Sequence, residues 1–437
     1  METNNAHSEP SSPTLVRTLG QWDLTSIGVN QVIGAGIFVL PASVAALVGQ
    51  ASSPLVWVVA AAVNALIILC FAEAGSQFRD AGGPYLYAKA AFGPIVGFEV
   101  AWMMFLTRVT SQAALANGFT LYLGYFWSGA TEGAGRAFVL TVLIGILAAI
   151  NYRGVRQGSR TINFFTWGKL IPLLGFVLVG FWYIDWSHFS GILKPNMMGF
   201  GQATLLLMYA YSGYELIPIP AGEAKAPALG VPRALLATIG ICTVLYLLIQ
   251  IISVGTLDNL AGSEAPLADA AAAFLGPATG ILIALGGLLS IGGSNAGTML
   301  AAPRLLYALS EKGQLPRFFG RLHETFRTPH VAILIYSAIS LILALTGSFI
   351  QMAAISAVAR LMFYTTTCAA VPVLRHKNGD KEAFRLPGGA AIPIIATAAS
   401  LAVIAGADWN SLSAGGIALA VGLVFYVFQR KLPSTRS

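Results

Sequence analysis

Apolar runs far longer than a soluble strand alternate along the chain with short stretches rich in Gly, Pro and charge. Twelve such runs stand out, at roughly 24–48, 54–78, 95–126, 136–152, 161–184, 199–222, 233–256, 275–308, 330–347, 351–373, 388–406 and 411–429. The breaks include RDAGGPYLYAKAAFGP after the second run, NYRGVRQGSR after the fourth and EAKAPALGVPR after the sixth. Another, SEKGQLPRFFGRLHETFRTPH, follows the eighth. About 20 apolar residues carry a helix across the hydrocarbon of a bilayer. Over such runs a helix satisfies its own backbone in lipid. The pattern therefore predicts an all-α integral membrane protein with twelve transmembrane helices.

Composition agrees and narrows the class. Of 437 residues, 56% are hydrophobic and 10% charged, with a mean hydropathy of +0.73. Soluble domains carry about 25% charged residues, so a soluble multidomain chain, a nucleic-acid-binding protein and a disordered chain are all excluded. Cys70, Cys242 and Cys368 lie inside apolar runs without a CxxC spacing. They read as small core residues, with no disulfide framework, metal site or cofactor to expect from them. The polar N-terminus has no basic region leading into a short apolar stretch, which predicts a cytosolic tail over residues 1–23 in place of a cleaved signal.

Charge then gives an orientation. With the N-terminus in the cytosol, the alternation of twelve spans puts twenty of the 25 Lys and Arg on the cytosolic side. Only Arg136 and Lys194 fall outside, and Arg108, Lys169 and Arg360 lie within spans. Such an excess is the positive-inside pattern of a multi-pass plasma-membrane protein, and it places residues 430–437 in the cytosol as well. No external cysteine is available to bond an accessory chain, which predicts a protein without an obligate partner subunit.

Two spans carry interruptions. The first reads GVNQVIGAGIFVLP, with Gly34-Ala35-Gly36 at mid-span, and the sixth reads YAYSGYELIPIP, with Ser212-Gly213 at mid-span and Pro218 and Pro220 beyond. Glycine weakens a helix by about 1 kcal/mol relative to alanine. Close helix packing explains single glycines in membranes. Paired breaks five spans apart instead point to an inverted-repeat transporter with its site at the midplane. Residues 24–184 and 199–373 would be the two five-helix repeats, and 388–429 two appended helices. Unwound backbone at that depth is tolerated only where it lines a cavity. Its free N–H groups suit a carboxylate and its free carbonyls an ammonium, so a small zwitterion, an amino acid, satisfies both.

Several segments, in this order, resemble the amino acid–polyamine–organocation superfamily, nearest its cationic and L-type amino acid transporter branches. They are IGAGIFVLP (33–41), GGPYLYAKAAFGP (82–94), YAYSGYE (209–215), GEAKAP and VPRA (within 222–234), APRLLYALSEKGQLPRFFGRLHETFRTPH (302–330) and FRLPGG (384–389). The resemblance implies a LeuT-type 5+5 inverted repeat with alternating access. It implies that the substrate carboxylate meets the backbone around Ile33, Gly34, Ala35, Gly36 and Ile37. The amino group would meet carbonyls around Tyr209, Ala210, Ser212 and Gly213, with Tyr211 as an aromatic lid. It also implies that Lys169, about eight residues into span 5, fills the place of a sodium ion and bridges span 1 to Ser294 and Asn295 of span 8. The alternative for Lys169 is snorkelling to the interface.

Charges within a span cost at least about 2.5 kcal/mol each. Glu215 follows the break in span 6 and reads equally as a coupling residue or a structural partner. Arg108 and Arg360 have no acid at helical spacing, so pairing between helices in a structural role is expected. Glu73 and Glu99 read as interfacial anchors. No histidine lies deep in a span, and no HExxH, catalytic Ser/His/Asp set or carboxylate pair marks an enzyme. A channel lacks its pore ring. The expectation is a Na+-independent permease for L-amino acids, coupled to protons or to exchange, whose partners are a small-molecule substrate and lipid. With Glu215 the only deep acid, neutral substrates are favoured over the alternatives, an amine, polyamine or cationic amino acid.

Overall fold

The computed structural model describes residues 20–78, 82–154, 159–191, 194–218, 225, 227–311, 313–378 and 384–431. The tails at 1–19 and 432–437, and residues 219–222 of the sixth predicted span, lie outside the described residues. Fifteen α-helices make up the described fold, and no strand occurs among them. The first half holds α1 (Gln21–Val32), α2 (Gly36–Val48), α3 (Ser53–Ser76), α4 (Pro84–Phe92), α5 (Pro94–Gly124), α6 (Gly133–Arg153) and α7 (Ser159–Gly180). Then come α8 (Met197–Ala210), α9 (Pro227–Thr256), α10 (Pro266–Leu275), α11 (Pro277–Glu311) and α12 (His330–Thr346). The last three are α13 (Phe349–Asn378), α14 (Ala391–Ala405) and α15 (Trp409–Lys431).

Proline sets several of these starts. α3, α4, α5 and α10 each have Pro in the first turn, where its fixed φ suits a helix and its missing N–H costs nothing. Among the described residues six helices are long and apolar enough to cross a membrane, and there are seven such spans if the pair α1–α2, bent by 50° at its break, is one. The helices α4 and α10 sit in stretches that hydropathy reads as connections. Each is 9 or 10 residues long, too short to register as an apolar run.

At the centre, α3 lies along α9, α5 along α11 and α13, and α2 along α8. Outward, α6, α7 and α15 leave large apolar side chains uncovered, among them Phe138, Ile146, Leu174, Leu178, Ile417 and Val424. A bilayer is the medium that covers such surfaces. Glu73 departs from its expected place at the interface. It is fully buried, accepts from Arg375 Nε and Nη2 at 2.5 and 2.6 Å, and accepts from the Leu386 amide at 2.9 Å. The anchor is therefore internal, tying α3 to the end of α13 and to the segment before α14. Glu99 lies against α15 at Gly422.

Breaking a buried pair is strongly destabilising because it leaves one charge unpaired. Glu73→Ala is expected to cost about 3 kcal/mol, the low end for such pairs because Arg375 is partly exposed. Thermal unfolding of the detergent-solubilised protein reads this as a clear fall in Tm. An unchanged Tm would show the clamp to be dispensable.

Candidate substrate cavity

The α1–α2 break falls at Ile33–Ala35, within the glycine-rich stretch, and the second interruption begins where α8 ends at Ala210. The two breaks face each other at close range. A Cβ on Gly36 would stand 2.7 Å from Ala210 Cα, and one on Gly213 would stand 2.8 Å from the Gln31 carbonyl carbon. Gly213 also has φ +120°, a conformation that L side chains rarely adopt. Small residues at these points are what allow two main chains to touch.

A helix end leaves the carbonyls of its last turn without N–H donors, and in α1 donors from other helices meet them. Lys169 Nζ, on α7, donates to Asn30 O at 2.5 Å and Ile33 O at 2.8 Å. Tyr246, on α9, donates to Val32 O at 2.9 Å and lies 3.4 Å from Ala210 O, so one hydroxyl touches both breaks. Lys169 is 4% exposed. Its ammonium therefore ends at the span-1 backbone, and a cation at a helix C-terminus is favourably placed against the dipole. On the other side, the first turn of α2 starts at Gly36, whose amide and those of Gly34 and Ala35 stand at a helix N-terminus. Such donors lack intrahelical acceptors.

Behind the second break, Gly213 turns the chain into a short 3-10 turn at Tyr214–Leu216. Glu215, 1% exposed, folds back so that Oε2 accepts from the Gly213 amide at 2.7 Å and from Tyr364 Oη at 2.8 Å. Its Oε1 lies 3.4 Å from Arg360 Nε on α13 and 3.8 Å from Arg108 Nη2 on α5. The two deep arginines thus meet the deep acid across three helical segments.

Between the breaks lies a cavity of about 350 Å³. From α1, the break and α2 it takes residues 30–32 and 34–36. Tyr209, Ala210, Ser212 and Gly213 contribute from the second break, and Ser290, Gly293, Ser294, Gly297 and Ala301 from α11. Arg108, Lys169 and Arg360 are the charged residues of the lining. Its deep end is buried at Tyr209, Ala210 and Ser290, whereas Gln31, Gly297 and Ala301 are exposed. The cavity therefore opens where α1 begins and α11 ends. At the other end the molecule is shut: Tyr209 packs edge-on to Phe349, and Phe38 edge-on to Tyr122, whose hydroxyl donates to Phe38 O at 2.7 Å.

The expected site residues divide. Gly34, Ala35, Gly36, Tyr209, Ala210, Ser212, Gly213, Lys169 and Ser294 line the cavity, while Ile33 and Ile37 are buried beside it and Ile33 contributes its carbonyl to Lys169. Tyr211 does not line it. Its ring is packed against Trp57 and Tyr246, away from the opening, so the aromatic that faces the cavity is Tyr209. Ser294 Oγ donates to Ser290 O, and Asn295, fully buried, bonds Ile291 O and Gln112. The hydrogen bonds of Lys169 run to span 1 instead. Tyr246, Arg108 and Arg360 were not among the expected site residues. For the arginines the signal was their depth without a partner nearby in sequence, whereas nothing local marks Tyr246. No group of three or more candidate metal ligands occurs among the described residues.

A fold of interrupted membrane helices closing on a small polar cavity is that of a membrane transporter, and the comparisons with known proteins name its family. The amino acid permease family model matches residues 19–428, so the chain belongs to that family, within the amino acid–polyamine–organocation superfamily. It is an integral membrane protein of transporters, not of enzymes. It is similar to the methylthioribose transporter of Bacillus subtilis (strain 168), 29% identical over 99% of this chain and 97% of that relative. It is likewise 29% identical to the serine/threonine exchanger SteT of the same organism, over 98% of this chain and all of SteT. The large neutral amino acids transporter small subunit 2 of Rattus norvegicus is 28% identical, over 86% of this chain and 73% of its own length.

Because Gly36 meets Ala210 main chain to main chain, Gly36→Ala must push the breaks apart. Overpacking of this kind costs about 1–3 kcal/mol, so uptake per molecule in the membrane is expected to fall about tenfold. Uptake equal to that of the unaltered protein would contradict a functional role for the close approach.

Proposed function

We propose that the protein is a secondary active transporter that moves L-amino acids across the plasma membrane by alternating access, without sodium. The observation that carries this reading is the meeting of two broken helices over a closed-ended cavity, with the Lys169 ammonium on the carbonyls of the first break. The α-carboxylate of the substrate binds the free amides around Gly34, Ala35 and Gly36. Its ammonium binds carbonyls of the second break around Tyr209, Ala210 and Ser212. Tyr209 covers the substrate from the shut end, and opening there requires Tyr209 and Phe349 to part.

Twelve transmembrane helices in a 5+5 inverted repeat, with α14 and α15 appended, supply the rocking unit. Support comes from the packing of related spans. Spans 1 and 6 meet as α2 and α8, 2 and 7 as α3 and α9, 3 and 8 as α5 and α11, and 4 and 9 as α6 and α12. Both termini lie in the cytosol in this reading, so the open end of the cavity faces inward. Lys169 takes the place of a metal ion: its hydrogen bonds occupy carbonyls that would otherwise need a cation. Gain or loss of its proton, or exchange of one amino acid for another, then drives the cycle. The cationic and polyamine alternatives lose ground because the cavity presents three basic side chains and, among the described residues, no carboxylate.

Purified protein in liposomes tests this with labelled amino acids, methylthioribose, an imposed pH gradient and internal counter-substrate. Uptake of at least one amino acid, unaffected by replacing Na+ with choline, is expected. Strict Na+ dependence would overturn the role given to Lys169. Lys169→Ala is expected to abolish the response to the pH gradient or to counter-substrate. The same response in that variant would remove Lys169 from coupling.

A further inference from the structure

The charges around the cavity do not balance. Arg108 and Arg360 both line it, and both lean on one carboxylate oxygen, Glu215 Oε1, at 3.8 and 3.4 Å. The second oxygen of Glu215 is already used by the Gly213 amide and Tyr364. Lys169 adds a further basic group committed to carbonyls, which carry no formal charge to offset it. One carboxylate therefore faces two guanidinium groups, and among the described residues at least one positive charge remains uncompensated.

Arg360 is the nearer of the two to Glu215, yet not all of its donors are met. Its residue is 2% exposed; Nε faces Glu215 Oε1 at 3.4 Å, while Nη1 is buried without a hydrogen-bond partner among the described residues. A guanidinium cannot shed its charge as a lysine can. A buried charge that is only partly compensated is costly, and charge at this depth marks a functional site by default. The planar fork of an arginine matches the two oxygens of a carboxylate. Tyr209, at the shut end, and Arg360 line the same cavity. Both arginines thus bring positive charge to the cavity in which a substrate would lie.

We propose that the cavity is built for an amino acid with a second carboxylate on its side chain, which docks on Arg360 and Arg108 while the α-groups occupy the two helix breaks. This rests on the amino acid transport reading above and replaces the neutral substrate that the sequence favoured. Glu215 then acts as a positioning residue: it holds the two guanidinium groups together and leaves a net charge for the ligand to neutralise.

The test compares acids with their amides, which have nearly the same shape. In wild-type proteoliposomes, glutamate or aspartate is expected to compete for uptake at least about tenfold better than glutamine or asparagine, as loss of one charge-assisted contact implies. Arg360→Gln is expected to bring that ratio to about one, and Arg360→Lys to retain part of it. Thermal shift of the wild-type protein gives a second reading that needs no variant, with glutamate raising Tm and glutamine at equal concentration not doing so. Uptake of neutral amino acids with no preference for the acids would overturn the inference and leave the transport reading intact. So would neutral uptake that fails when chloride is replaced by gluconate, because the arginines would then hold an inorganic anion. Binding of no amino acid at all would overturn both.

Discussion

The hydrogen bonds from Lys169 to Asn30 O and Ile33 O are the contact on which the centre of the molecule depends. A span can be interrupted in an apolar medium only if the freed main-chain groups find partners. At the end of α1 those partners come from α7 and α9, as Lys169 and Tyr246. Because they arrive from other helices, the broken segment is held by the bundle instead of by its own ladder. The second break then fits against the first through glycine: Gly36 admits Ala210, and Gly213 admits Gln31. The cavity follows from this arrangement, since unwound backbone on both sides leaves space and polar groups where two continuous helices would have closed on each other.

A second layer fixes the chain beyond the break. Glu215 turns back to the Gly213 amide and collects Arg108, Arg360 and Tyr364, so the segment after α8 is tied to α5 and α13. At the shut end, Arg136 reaches over α12 and donates to Ala344 O at 2.8 Å and Gly347 O at 2.5 Å, with Asn117 Oδ1 at 2.6 Å. These contacts cover carbonyls at the C-terminus of α12, where a cation is favoured. One end of the molecule is thus secured by directed hydrogen bonds, and the other is left open along α1 and α11. That asymmetry fits one state of the alternating-access cycle proposed above.

Much of the centre was legible from local sequence. Gly34-Ala35-Gly36 and Ser212-Gly213 stand out because glycine is costly within an apolar helix, and Lys169 because charge is costly at depth. Features that depend on how helices meet were not legible. Tyr211 and Tyr209 are two residues apart, and which of them faces the cavity is decided by the last turn of α8 and by the room left by Trp57 and Tyr246. Glu73 reads as interfacial until Arg375, 302 residues away, is brought onto it. The pairing of Arg108 and Arg360 with Glu215 likewise joins distant stretches. Short helices such as α4 and α10 escape a pattern tuned to whole spans.

An experimental structure of the protein with its transported substrate bound is the most direct measurement of the central claim. The account predicts ligand density between the two breaks, its carboxylate on the amides around Gly34–Gly36 and the Lys169 ammonium still on Asn30 O and Ile33 O. A ligand seated elsewhere, or a metal ion on those carbonyls in place of Lys169, would contradict it.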